Sequence, residues 1–221
     1  SSTALAGGAS SIDGLSDGYL DTNNMGLGTT ALANLTTGER NTALGKNALN
    51  AVTTAYGNTG IGHEALKAMI SGEANTAIGD RALSLTTTAY GNTAVGDVAL
   101  GAANAGSENT AVGSNVLRYN TGGGNTSVGY MSSPAVTTAS NTTALGSSSL
   151  YRLTTGAGNT AVGKAALNYL TTGAGNIGLG IGAGDAITTG SNNTVIGDLA
   201  GTTTMASTVL LGAGTTERLK V

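Results

Sequence analysis

An aliphatic residue followed directly by glycine recurs along the whole chain, at Leu27, Leu44, Ile61, Ile78, Val95, Val112, Val128, Leu145, Val162, Leu179 and Ile196. Consecutive members lie 17 residues apart in nine intervals and 16 apart in one. A fixed period of this length is the signature of a stacked-repeat architecture. Numbered from the Asn that opens each copy, the unit reads N-T-A-[VIL]-G-x-x-A-L-x-x-x-T-T-G-x-G. Position nine is Leu in eight of eleven units, and position eight is mostly Ala, as at Ala48, Ala82 and Ala166. Each unit therefore has two apolar points separated by Gly and two variable residues. Thr pairs and Gly close it, as in Thr154-Thr155-Gly156.

Seventeen residues are too few for an α-helical hairpin repeat, which needs about 33. Two glycine-rich corners per unit would weaken a helix by roughly 1 kcal/mol per Gly. The pattern predicts an all-β fold, a β-solenoid or β-roll of about eleven 17-residue coils. Short strands are expected at N-T-A-V and at A-L, with Gly turns between. A single helical turn after the Gly, as across residues 80–83, is the local alternative. Coils stacked at about 4.8 Å would make a rod roughly 50 Å long. The expected organisation is an N-terminal cap or connector over residues 1–23, a repeat shaft over 24–207, and a C-terminal transition segment over 208–221, whose Thr215 to Val221 stretch alternates like a strand.

Stacking sets like residues above like. Asn at position one should form an amide ladder in which each side chain donates to the next coil's carbonyl. Positions four and nine become two continuous apolar columns, and Ala at positions three and eight lets walls approach closely. Gly at position five supplies a positive φ or room for another backbone. So thin a coil leaves the position-four aliphatics partly uncovered, which self-association would cover. Pro134, in a unit where Ser132 and Ser133 replace Ala and Leu, predicts a local bulge or loop.

Composition narrows the picture further. The chain has 37 Gly, one Pro and no Cys, Trp or Phe, which suits a narrow core filled by Ala, Val and Leu. Charged residues make up 10 % of the chain, at a net charge of −3, with no basic face for nucleic acid. No run of eighteen apolar residues offers a membrane span. Ser1 to Ala4 lack a signal-peptide pattern, and a start without Met reads as a fragment or a processed chain.

Candidate chemistry is sparse. His63, the one histidine, sits beside Glu64 at a variable position and reads as an exposed surface residue. Asp80 and Asp97 share a unit position and would stack, repelling unless screened or bridged by a cation; Arg81 lies next to them. The string Gly178 to Gly182 looks like a phosphate loop but consists of repeat positions with no Lys-Ser/Thr after it. No catalytic, cofactor or metal residues are expected, and the chain reads as no enzyme. Tyr56 and Tyr90 share position sixteen. Tyr119, Tyr151 and Tyr169 fall near positions ten and eleven, either packing over coil edges or stacking on sugar rings as glycan contacts.

The N-T-A-[VI]-G-x-x-A-L…T-T-G units resemble the shaft repeats of bacteriophage tail-fibre and tail-spike proteins. Ser11 to Gly18 and Glu217 to Val221 resemble segments that flank such repeats. The units are similar, more distantly, to the β-roll heads of trimeric autotransporter adhesins. The resemblance implies a homotrimeric fibre in a virion, a structural shaft positioning a receptor-binding tip for host attachment. Its partners would be its own copies, other tail or surface proteins and a host-surface glycan. The alternatives are a bacterial surface adhesin or extracellular filament subunit, and an ice-binding solenoid with Thr ladders matched to an ice lattice.

Overall fold

The computed structural model describes residues 18–20, 23–213 and 216–220. Strand β1 covers Gly18–Leu20. Eleven three-residue strands follow, one per coil: β2 Met25–Leu27, β3 Thr42–Leu44, β4 Thr59–Ile61, β5 Thr76–Ile78, β6 Thr93–Val95, β7 Thr110–Val112, β8 Thr126–Val128, β9 Thr143–Leu145, β10 Thr160–Val162, β11 Ile177–Leu179 and β12 Thr194–Ile196. Longer strands β13 (Val209–Ala213) and β14 (Thr216–Lys220) complete one fourteen-stranded sheet whose spatial order is the chain order. From β2 to β13 every pairing is parallel and in register. At the two edges β1 and β14 pair antiparallel, with β2 and β13. The chain is a parallel β-solenoid of about eleven coils, with no helix among the described residues. The sequence-predicted C-terminal strand is present as β14; residues 1–17 of the N-terminal connector lie outside the described residues.

The 16-residue interval does not disturb the stack. Val112 still faces Val128, and the Asn125 N–H still donates to Asn109 Oδ1 at 3.0 Å. The deletion falls in the corner Gly122 to Gly124, where no side chain has to be placed.

The A-L segment is not a strand, nor a helical turn. The position-eight N–H closes a tight turn onto the position-five carbonyl, as from Ala48 to Gly45 at 3.2 Å. The Leu at position nine then adopts a left-handed conformation, with φ of 47° to 53° at Leu32, Leu49, Leu66, Leu83, Leu100, Leu117, Leu150 and Leu167. Left-handed backbone costs an L-residue about 1–2 kcal/mol. Burying a Leu side chain stabilises by about 1.5–3 kcal/mol, and these leucines are 0–1 % exposed. Burial wins, so the corner is held by a leucine where local propensity would place glycine. The position-nine N–H bonds the next coil, as from Leu49 to Ala65 O at 3.0 Å. The position-eight and position-nine donors of the turn are thus both used.

The position-four column, expected as a continuous apolar file left partly uncovered, is real in register and lies on the outer face. A three-residue strand alternates its sides, and the Ala at position three takes the inward place: Ala43, Ala77, Ala94, Ala111, Ala144 and Ala161 are fully buried. Positions two and four must then point outward. Leu44, Ile78, Val128, Leu145, Leu179 and Ile196 are 37–45 % exposed. The second core column belongs to position twelve, where Val52, Met69, Val136, Leu153, Leu170 and Ile187 are fully buried beside the leucines.

The Asn ladder forms with different acceptors from those expected. Each Asn that follows another Asn in the column donates its backbone N–H and its Nδ2 to that residue's side-chain Oδ1, as Asn92 does to Asn75 at 3.0 and 3.1 Å. In most coils Nδ2 also reaches across its own coil to the position-fifteen carbonyl, as from Asn75 to Ala89 O at 2.8 Å. These asparagines are buried and hydrogen-bonded, as buried amides require.

Pro134 sits in a turn between strands and makes no bulge in the sheet, since β7, β8 and β9 stay in register. It occupies position ten, whose N–H, in the three coils where it is bonded, turns back within its own coil, as from Lys67 to Glu64 O. A residue without a donor therefore breaks no bond between coils. Beside it, Ser132 and Ser133 fill the Ala and Leu places, fully buried. Ser127 Oγ lies 3.0 Å from Oγ of both, and Ser132 Oγ 2.9 Å from Ser149 Oγ. The hydroxyls satisfy one another where other coils place Ala and Leu.

Candidate functional site: a strand face and a groove

Two surfaces depart from an ordinary solvated exterior. The first is the strand face. Its position-four rank runs from Leu27 to Ile196 with each aliphatic paired to the next, Leu27 to Leu44, Leu44 to Ile61 and onward. Beside it runs a rank of half-buried position-two residues: Thr42, Thr59, Thr76, Thr93, Thr110, Thr126, Thr143, Thr160 and Thr194, interrupted by Ile177. At about 4.8 Å per coil the two ranks extend for roughly 50 Å. Soluble monomers rarely expose an apolar stripe so long and unbroken.

The second is a groove of about 520 Å³ beside the degenerate coil. Its walls are Arg118 and Tyr119 from one coil and Tyr151 and Arg152 from the coil two steps on; Met131 and Pro134 form the floor between them. The groove exists because the intervening coil places the small Pro134 and Ala135 at positions ten and eleven, where its neighbours carry Arg, Tyr or Asn. Two coil rises, about 9.6 Å, separate the walls. Arg118 lies over the Tyr119 ring at 5.2 Å from its centroid, and Arg152 over Tyr169 at 4.8 Å. Such cation–π stacking holds both guanidinium planes at the rim.

Of the three tyrosines singled out by sequence, the groove joins Tyr119 and Tyr151; Tyr169 stands one coil further on and supports Arg152. Tyr56 and Tyr90 lie at another corner, with Arg40 over Tyr56 at 5.0 Å. Sequence reasoning missed Arg118, Arg152 and the notch at Pro134. The available signal was charge: no Asp or Glu occurs between Glu108 and Asp185, a stretch that contains Arg118, Arg152 and Lys164.

His63 is exposed but not alone. Its Nδ1 lies 2.8 Å from Asp80 Oδ1 on the next coil, and Arg81 Nε donates to Asp80 Oδ2 at 3.0 Å. The hydrogen bond from His63, with that from Arg81, holds the Asp80 carboxyl below the usual carboxylate range. Asp80 thus turns to Arg81 on its own coil and to His63 on the coil before it. Among the described residues no three His, Asp or Glu side chains gather as ligands for an ion. The Gly178–Gly182 string lies in and just after β11, at ordinary repeat positions.

Asp185 behaves oppositely to Asp80. Burial, then the neighbouring Asp198 charge, raises its carboxyl above the ordinary 3.8. An acid harder to ionise in the rod than in the unfolded chain withdraws stability as pH rises through the carboxylate range, and restores it below. Asp185→Asn should therefore melt higher than the parent at neutral pH, and the two melting curves should converge in acid. A variant that melts no higher at neutral pH would show that Asp185 is fully solvated.

Compared with family models, with curated proteins and with solved structures, the chain matches none.

Proposed function

We propose that this chain is a structural shaft: a stiff column that self-associates as a homotrimer through its strand face and holds a receptor-binding tip away from a virion, as a tail fibre does. The observation that carries the reading is the outward aliphatic rank, which persists in all eleven coils although each could have placed a polar residue there at no loss to its core. Burying apolar surface stabilises by about 25 cal/mol per Å², so a stripe repeated along a rod favours side-by-side association over its whole length. The number three rests on the resemblance of the N-T-A-[VI]-G units to fibre shafts. The same geometry serves a bacterial surface adhesin or filament subunit, and antibody labelling of virions against cells separates the two.

A second reading draws on the position-two rank. Thr hydroxyls and aliphatic groups lie side by side along an in-register parallel sheet, an arrangement suited to ordering water in an ice-like array. That reading needs the face bare in a monomer, whereas the shaft reading needs it covered. Sedimentation distinguishes them. The expected mass is three times 21.3 kDa, and Val95→Lys with Val112→Lys should leave a monomer with an unchanged circular dichroism spectrum. A parent chain that sediments cleanly as a monomer and depresses the freezing point would replace the shaft by the ice-binding reading.

A further inference from the structure

We infer that the groove between Arg118 and Arg152 is a binding site for an acidic saccharide, one carboxylated pyranose seated between Tyr119 and Tyr151. Three observations converge on this chemistry. First, the walls stand about two coil rises apart, and a sugar ring with its two stacking distances fills about that width. Tyrosine faces suit the apolar side of a pyranose, and Tyr119 and Tyr151 are 47 and 37 % exposed, available for contact.

Second, the groove carries two guanidinium groups and no acid. Arg118 Nη1 donates weakly to Asn115 Oδ1 at 3.3 Å. Its Nε is buried without a hydrogen-bond partner, the one such side-chain atom among the described residues. A buried donor left unmade costs about 1–3 kcal/mol, more for a charged group. The planar guanidinium forks of Arg118 and Arg152 match a ligand carboxylate in two-point contact.

Third, the surrounding field has the right sign. The stretch after Glu108 and before Asp185 contains three of the nine cations and none of the twelve acids, in a chain of net charge −3. The groove is thus the middle of a positive band on an otherwise acidic rod, which draws anions toward it. Its residues occupy positions seven, ten, eleven and thirteen, none on the strand face. Ligand binding and self-association are consequently separable.

The experiment uses the full chain and two acidic probes, an oligogalacturonate tetramer and a sialyl trisaccharide, with a neutral galactose tetramer as comparison, titrated by calorimetry. At least one acidic probe should bind, weaken as salt rises, and exceed the neutral sugar by about tenfold or more. Arg152→Gln, at an exposed position, should remove most of that preference. Ala135→Tyr, which refills the notch while keeping both arginines, should abolish binding with the melting temperature retained. Binding that survives Ala135→Tyr would place the anion on the open surface and overturn the proposal. So would equal affinity for the neutral tetramer, or no binding of either acidic probe.

Discussion

Gly96→Val should disrupt the rod by more than about 4 kcal/mol, the range reserved for substitutions with a named steric cause. A Cβ on Gly96 would stand 2.6 Å from the Gly113 carbonyl carbon of the next coil. The residue also sits at φ +133°, a conformation L side chains rarely adopt. Neither problem relaxes locally, because Gly113 is pinned by its own bond to Val95 O and repeats the contact with Gly129. Ser114→Val, one residue beyond the equivalent glycine, falls at a variable position and should change stability by no more than about 0.5 kcal/mol. Chemical denaturation of the two variants checks the contrast, and comparable losses in both would remove the close-approach argument. Since a repeat stack is held by neighbour contacts, hydrogen exchange in Gly96→Val should rise first in the coils on either side.

Asn92→Ala is expected to cost about 3 kcal/mol, because one truncation leaves several buried polar groups unmatched. Asn92 Oδ1 accepts from both the backbone N–H and Nδ2 of Asn109, at 2.9 and 3.2 Å. Its own two donors satisfy Asn75 Oδ1. Asn92→Thr should recover part of the loss, since Thr142 occupies the same place naturally and donates through Oγ1 to Asn125 Oδ1 at 2.8 Å. Midpoints of urea unfolding for the two variants give the ranking. If the alanine variant were as stable as the threonine one, the ladder would be decorative.

The period, the coil count and the in-register stack were legible from Leu27, Val95, Val162 and their kin, because repetition is visible without any knowledge of direction. Which side of the strand faced inward was not. Ala at position three and Leu, Ile or Val at position four look like core and core, and the larger residue is the natural choice for burial. The coil interior is too narrow for it: Ala94 and Leu100 share that space with their neighbours, and Val95 is turned out. Position twelve was overlooked for the complementary reason. Val52, Met69 and Leu153 keep apolar character while changing identity, so no consensus letter marked them. The left-handed leucines were unreadable in principle from propensity, since only the tertiary gain of burial makes φ near +50° acceptable at Leu83 or Leu100. The groove arises from what one coil lacks, and an absence of bulk at Pro134 and Ala135 leaves little trace in a consensus.

The serine cluster bears on how such a chain finds its alignment. Coils of one length and nearly one sequence can be threaded wrongly, a coil skipped and the next docked in its place, with little loss of hydrocarbon contact. Ser127 bonds Ser132 and Ser133 within one coil, and the bond from Ser132 Oγ to Ser149 Oγ at 2.9 Å forms only when their two coils are adjacent. Docked instead against a leucine coil, the pair would lose that bond, worth about 0.5–1.5 kcal/mol. A single polar pair thereby acts as a modest registration mark, penalising mis-threaded stacks of a chain whose remaining coils are close to interchangeable.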